Sequence, residues 1–223
     1  MKKKNKSRFF LLLMIGVSLI LLISCEILRE FESGSVADIE GNVYKTITIG
    51  DQRWMANNLK TTKYNDGSVI PNVEDSTTWI NLTTDAYCWY NNNAFYKTTY
   101  GTLYNWYAAT SNKLCPTGWH VPTDDEWMVL INDLGGESIA GGKLKESGTS
   151  HWYSPNTGAT NKSGFTALPA GCRYYLAEFI GFGSWGLWWS IPNYVPFLHY
   201  QKTNIEFDSS IKHYGLSVRC LKD

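Results

Sequence analysis

Residues 42–55, "NVYKTITIGDQRWM", alternate in character, with Val43, Lys45, Ile47 and Ile49 set against Tyr44, Thr46 and Thr48. A period of two with β-branched residues is the pattern of a half-buried strand, and Gly50-Asp51 supplies the residues of a tight turn. The segment therefore predicts a β-hairpin. A helical period is clearest further on, where Trp127, Leu130, Ile131 and Leu134 repeat at i, i+3, i+4 and i+7 and lay an apolar stripe along one helix face. Both ends of that helix are marked. Thr123 followed by Glu126 is the spacing of a capping box, in which the threonine hydroxyl accepts from the Glu126 N–H and the glutamate carboxylate accepts from the Thr123 N–H. Asp124 and Asp125 fall in the first turn, where the helix dipole stabilises each negative charge by about 0.3–1 kcal/mol. Gly135-Gly136 provides the left-handed residue that a helix C-terminus requires.

Elsewhere the patterns are short. Leu216, Val218 and Cys220 alternate in "GLSVRCL" (215–221), which predicts a closing strand. "AYCWY" (86–90) is a short aromatic run, and "TLYNWYAA" (102–109) fits a helical turn or a strand equally. Residues 56–84 and 137–210 are rich in Gly, Ser, Asn and other turn formers, with few periodic runs. One defined helix, scattered short strands and long loops predict an α+β fold with much irregular structure.

The N-terminal pattern is different. Lys2, Lys3, Lys4, Lys6 and Arg8 precede an uncharged apolar run from Phe9 to Ile23, the charged and apolar regions of a secretory signal. The run is shorter than the roughly 20 residues of a membrane span. It ends in Leu22-Ile23-Ser24-Cys25, which resembles a bacterial lipoprotein box, where the cysteine is lipidated and becomes the mature N-terminus. The expected division is a signal peptide at 1–24, a polar tether at 25–38 and one domain at 39–223. Acyl chains on Cys25 would anchor that domain to the outer membrane of a cell envelope, on its periplasmic or its exterior face.

Charge and cysteines narrow the classes. The chain carries 20 basic and 20 acidic residues; without residues 1–24 there remain 15 basic against 20 acidic, a net charge of −5. No basic cluster survives, which argues against nucleic acid as a partner. Cys88, Cys115, Cys172 and Cys220 form an even set in an oxidising compartment, and four cysteines allow three pairings. Their spacing does not make a zinc ribbon.

The densest candidate chemistry is "CPTGWHVPTDDEWMVLINDLGG" (115–136). Its acids already have capping duties, and His120 has no histidine or carboxylate at a metal-ligand spacing. His151, His199 and His213 are scattered singly. There is no G-x-S-x-G elbow and no phosphate-binding glycine loop. The expectation is a protein without catalysis or cofactor.

"GNVYKTITIGDQRWMANNLKTTKYNDGS", "AYCWYNN", "YGTLYNWYA", "KLCPTGWHVPTDDEW", "GGKLKESGT", "SGFTALPAG" and "YGLSVRC" together resemble the Fibrobacter succinogenes major paralogous domain of secreted and lipoprotein chains in Bacteroidetes and Fibrobacteres. "VPTDDEW…GG" and the closing "GLSVRC" are more distantly similar to formylglycine-generating enzymes, whose fold is related to C-type lectins. The resemblance implies a disulfide-stapled, lectin-like α+β domain. It pairs Cys115, ahead of the helix, with Cys220 in the last strand, and leaves Cys88 and Cys172 as a second bridge. It does not carry the enzymes' activity across. Their paired copper-binding cysteines precede the final strand, and "GLWWSIPNYVPFLHYQKTNIEF" (186–207) contains no cysteine.

Binding is then the expected function. Trp152, Tyr153, Tyr174, Tyr175, Trp185, Trp188, Trp189 and Tyr194 crowd the second half. Aromatic faces that stack on sugar rings make glycan the leading ligand class, with a protein partner as the alternative. "LWWS" resembles a core strand of the family, so Trp188 and Trp189 are assigned to packing. Trp152 and Trp185, flanked by small and polar residues, are the ligand-binding candidates. The Glu-Pro-Asn and Gln-Pro-Asp signatures of calcium-dependent lectins are absent.

Overall fold

The computed structural model describes residues 34–192, 194–209 and 212–223. The predicted signal peptide, Cys25 and most of the predicted tether lie outside the described residues. Strands β1 (Gly34–Ala37), β2 (Val43–Ile49) and β3 (Gln52–Met55) run antiparallel in sequence order. The hairpin turns where the alternation predicts. Ile49 faces Gln52 across a two-residue loop, and Gly50 takes φ 58°, a left-handed conformation that glycine adopts without strain. Gly34–Ala37, within the expected tether, is a strand, paired with β2 through its backbone. Asp38 is anchored too, its carboxylate accepting from the Tyr44 hydroxyl at 2.6 Å and the Asn42 N–H at 2.9 Å.

Helix α1 (Ser76–Ile80) follows, then β4 (Tyr87–Cys88), α2 (Lys97–Tyr100) and β5 (Leu103–Tyr104), the two strands forming a small ladder. Helix α3 (Trp106–Ala109) comes directly after β5. The ambiguous segment 102–109 thus holds both structures, and Asn105 switches between them by accepting from the Ala108 N–H at 3.0 Å. After β6 (Trp119–His120) come α4 (Asp124–Asp133) and α5 (Glu137–Leu144). Strands β7 (Cys172–Arg173) and β8 (Phe179–Ile180) pair with each other. A three-stranded antiparallel sheet follows, with β10 (Tyr194–His199) between β9 (Trp185–Leu187) and β11 (Glu206–Ser209). Finally β12 (Leu221–Lys222) enters between β3 and β6, giving the order β1-β2-β3-β12-β6. Among the described residues, five α-helices and antiparallel sheets make this an α+β domain.

The predicted closing strand is narrower than 215–221. Gly215, Leu216 and Ser217 make single bridges to Arg173, Tyr104 and Trp188 before the chain joins the sheet. Ser217 and Arg219, on the expected polar side, are as buried as Leu216 and Val218. The segment runs through the interior and stitches several elements together.

Helix α4 forms as predicted. Thr123 and Glu126 close the capping box, the Glu126 carboxylate accepting from the Thr123 N–H at 2.8 Å. Its stripe of Trp127, Leu130 and Ile131 is buried against Trp54, Phe165 and Trp188, with the Trp54 and Trp127 rings 4.9 Å apart. Trp188 and Trp189 are core, at 1% and 0% exposure.

Cys115 and Cys220 form the bridge that the family resemblance implies, spanning 105 residues. The second implied bridge does not form. Cys88 and Cys172 are free, buried thiols; Cys88 packs with Trp79 and Leu103, whereas Cys172 belongs to the cluster around Leu187 and Tyr214. Buried cations tie the long loops instead. Arg173 donates to the carbonyls of Val73, Glu74 and Ala177, with its guanidinium 4.4 Å from the Trp79 ring centroid. Lys145 Nζ donates to the carbonyls of Thr157, His199 and Lys202 at 2.9, 3.2 and 2.8 Å. Irregular segments leave backbone carbonyls that no ladder satisfies, and a buried cation with several donors meets that need.

Candidate functional site

Of the two predicted ligand-binding tryptophans, Trp152 is excluded. It is 1% exposed, its indole N–H donates to the Ala167 carbonyl at 2.8 Å, and Lys145 Nζ stands 5.5 Å from its ring. The polar flanks that suggested exposure belong to turns around a core side chain. Trp185 is half-buried, its ring lying over Gly181 and meeting Phe197 edge-on at 5.6 Å. It borders the surface without dominating it.

Among the described residues the exposed aromatic rings are Phe95, Tyr153, Tyr175 and Tyr194. Tyr153, next to Trp152, is 57% exposed and Phe95 is 81% exposed. Two turns, Tyr90–Asn92 and Ala94–Tyr96, lead into α2 and present the aromatics of "YNNNAFYKTTY" (90–100). Asn91 and Asn92 take φ 52° and 53°, a region asparagine tolerates better than most residues. Asn93 caps the second turn by accepting from the Phe95 N–H at 2.9 Å. Phe182 is the hub, its centroid 5.0 Å from that of Tyr96 and 4.7 Å from that of Tyr100. The imidazole of His151 meets Tyr100 at 5.7 Å with the planes at 90°.

Tyr153 reaches this group over Gly183. A β-carbon there would come within 2.6 Å of the phenol ring, so glycine is required at that position for contact as well as for its φ of 77°. Tyr153 also meets Tyr200, their centroids 6.2 Å apart. The result is an aromatic cluster assembled from segments 90–100, 151–153 and 182–185 and continuing toward 197–200, in which Tyr96, Tyr100, His151 and Phe182 are half-buried and Tyr153 is exposed.

Its polar component is Glu146. The carboxylate lies 2.8 and 3.0 Å from His151 Nδ1, which fixes the imidazole against Tyr100. Burial, followed by the Glu146 charge, raises the pKa of the Tyr100 phenol above its ordinary value. Tyr100 therefore stays a neutral hydrogen-bonding group at physiological pH.

The acid-rich segment 115–136 is engaged in structural contacts. Asp124 accepts from the Ser190 hydroxyl at 2.5 Å and the Tyr194 N–H at 3.3 Å. His120 does have carboxylate partners: Nε2 lies 2.9 and 3.0 Å from the Glu126 oxygens, and Nδ1 lies 2.6 Å from Asp223. Sequence spacing showed neither, since Asp223 is brought in by the β6–β12 pairing. Among the described residues no group of three or more His, Cys, Asp or Glu side chains is arranged to hold a metal ion. Burial pushes the Cys88 and Cys172 thiols up to about 12, so both remain protonated and unreactive.

A model of the Fibrobacter succinogenes major domain matches residues 47–222, from within β2 to the end of β12. The chain belongs to the Fibrobacter succinogenes major domain family. No curated protein and no solved structure matches. The family match takes in both halves of the disulfide, the capped helix α4 and every segment of the aromatic cluster.

Proposed function

We propose that this Fibrobacter succinogenes major domain is a non-catalytic binding module of the cell envelope and that its ligand is a glycan. The observation that carries the reading is the exposed Tyr153 beside the half-buried cluster of Tyr96, Tyr100, His151 and Phe182, with Glu146 bonded to His151. Ring faces cover the apolar faces of a sugar, while the carboxylate and phenols bond its hydroxyls. The test is to probe the full chain against an array of polysaccharides and oligosaccharides. Binding to at least one is expected, weakened about tenfold or more when Tyr153 is changed to Ala. No binding across the array, or binding indifferent to that change, refutes the assignment.

A protein partner is the second reading. Phe95 at 81% and Leu176 at 60% exposure favour it, as apolar side chains standing out from the surface. No described helix is long and apolar enough to cross a membrane, and attachment is proposed through acyl chains on Cys25. Metabolic labelling with a palmitate analogue should mark the protein, and Cys25→Ser should abolish the mark. Label persisting in that variant would remove the lipid anchor.

We further infer that the α+β domain is C-type-lectin-like and distantly related to the formylglycine-generating enzymes. What supports this is the bridge from Cys115, ahead of α4, to Cys220, beside β12. A crystal structure whose strand connectivity departs from the lectin-like arrangement would contradict it. The copper chemistry of those enzymes does not follow, because Cys220 is bonded and the remaining thiols among the described residues are buried.

A further inference from the structure

We propose that His120 is a pH-responsive clasp joining the end of the last strand to the start of helix α4. The imidazole lies between two carboxylates from different elements. Nε2 faces Glu126, the residue that closes the α4 capping box, and Nδ1 faces Asp223, which follows β12. An ionised carboxylate only accepts hydrogen bonds, so both contacts are satisfied together only when both ring nitrogens carry protons. The clasp is therefore an imidazolium flanked by two anions.

Loss of one proton turns one nitrogen into a lone pair facing a carboxylate, and one contact must open. Asp223 is the freer partner, its side chain 60% exposed against 30% for Glu126. Its backbone is attached by an N–H donated to the Gly118 carbonyl at 3.1 Å, so opening loosens the link between the residue after β12 and the loop before β6. Other groups around the ring do not supply a competing charge. From β3, Gln52 is neutral and donates to the Glu126 backbone carbonyl at 3.0 Å. Lys222 on β12 is in register with Trp119. On α4, Asp124 is engaged with Ser190.

The titration directions agree. Burial alone would lower the pKa of His120, but the hydrogen bonds it donates to Asp223 and Glu126 and their charges outweigh it and raise it above 6.5. Burial would raise Glu126, but hydrogen bonds from Thr123 and His120 bring it below 4.5. A raised histidine stabilises the fold fully below its unfolded value and loses that contribution as pH climbs through the folded value. A depressed carboxylate contributes above its unfolded value and loses it as pH falls through the folded one. The clasp is strongest in weakly acidic solution, between those limits, and relaxes on the alkaline side.

The test uses the full chain and its four histidines. Their ring protons are titrated by NMR, and His120 is assigned by the resonance missing in His120→Gln. His120 should titrate above the ordinary histidine value, and Asp223→Asn should lower its midpoint by about one pH unit. The thermal midpoint of the unaltered chain should fall as pH rises from the ordinary histidine value through the raised folded one, with a smaller fall in Asp223→Asn. Titration at or below the ordinary value, a midpoint unmoved by Asp223→Asn, or identical pH profiles in the two chains would overturn the proposal.

Discussion

Changing Arg219 to Met should destabilise the domain by about 2–5 kcal/mol, read as a lower urea midpoint with an unchanged slope. Arg219 is 1% exposed. Its guanidinium donates to the Phe165 carbonyl, to the Thr166 carbonyl at 2.8 Å and to Asn58 Oδ1 at 2.9 Å, and stands 4.1 Å from the Phe165 ring centroid. Methionine fills much of the space, so the cavity contribution is small and the acceptors dominate. Asn58 Oδ1 keeps a donor from Trp188 Nε1 at 2.9 Å. The two carbonyls lose a charged donor, and each unsatisfied buried acceptor costs about 1–3 kcal/mol. A total near the upper end would be a large fraction of the roughly 5–15 kcal/mol that holds a typical domain folded. A loss below about 1 kcal/mol would mean that water reaches Phe165 and Thr166 and that Arg219 does not organise the loop.

Opening the Cys115–Cys220 bridge is expected to cost a similar amount. The bridge closes a loop with a sequence separation of 105, for which the chain-entropy model gives about 4.7 kcal/mol, and removal of native disulfides typically costs about 2–5 kcal/mol. A reductant should therefore lower the thermal midpoint of the unaltered chain and leave a Cys115→Ser/Cys220→Ser chain unmoved. Cys88 and Cys172 should resist alkylation until the chain unfolds, because both are buried. An unchanged midpoint in reductant would show that the core alone fixes the last strand beside α4.

Local rules carried the parts of the fold that are local. The hairpin at Gly50-Asp51 and the box closed by Thr123 and Glu126 depend on residues within a few positions of each other, and both form as read. Family resemblance supplied the Cys115–Cys220 pairing, which the bare count of cysteines left among three possibilities. Long-range placement was not legible. The exposure of Trp152 was misjudged because its polar neighbours are turn residues, while its ring is directed into the core against Ala167. The same gap hid Asp223 from His120, 103 residues away.

The aromatic cluster was half visible. Tyr153 stood in the aromatic-rich half of the sequence, but Tyr96, Tyr100 and Phe182 passed unnoticed. A usable signal was present in "YNNNAFYKTTYG", where aromatics sit among Asn and Thr without any apolar period. Of its rings Phe95 stands exposed, Tyr96 and Tyr100 are half-buried and Tyr90 is core, so the pattern marks the segment and not each ring.

The most direct measurement is the affinity of the full chain for whichever glycan it captures, compared between the unaltered protein and Tyr100→Ala/Tyr153→Ala. Binding should weaken about a hundredfold at a temperature where both chains are folded, the thermal midpoint itself falling somewhat because Tyr100 packs on Phe182. Equal affinity in the two chains would contradict a ligand surface at these rings and return the function to another face of the domain.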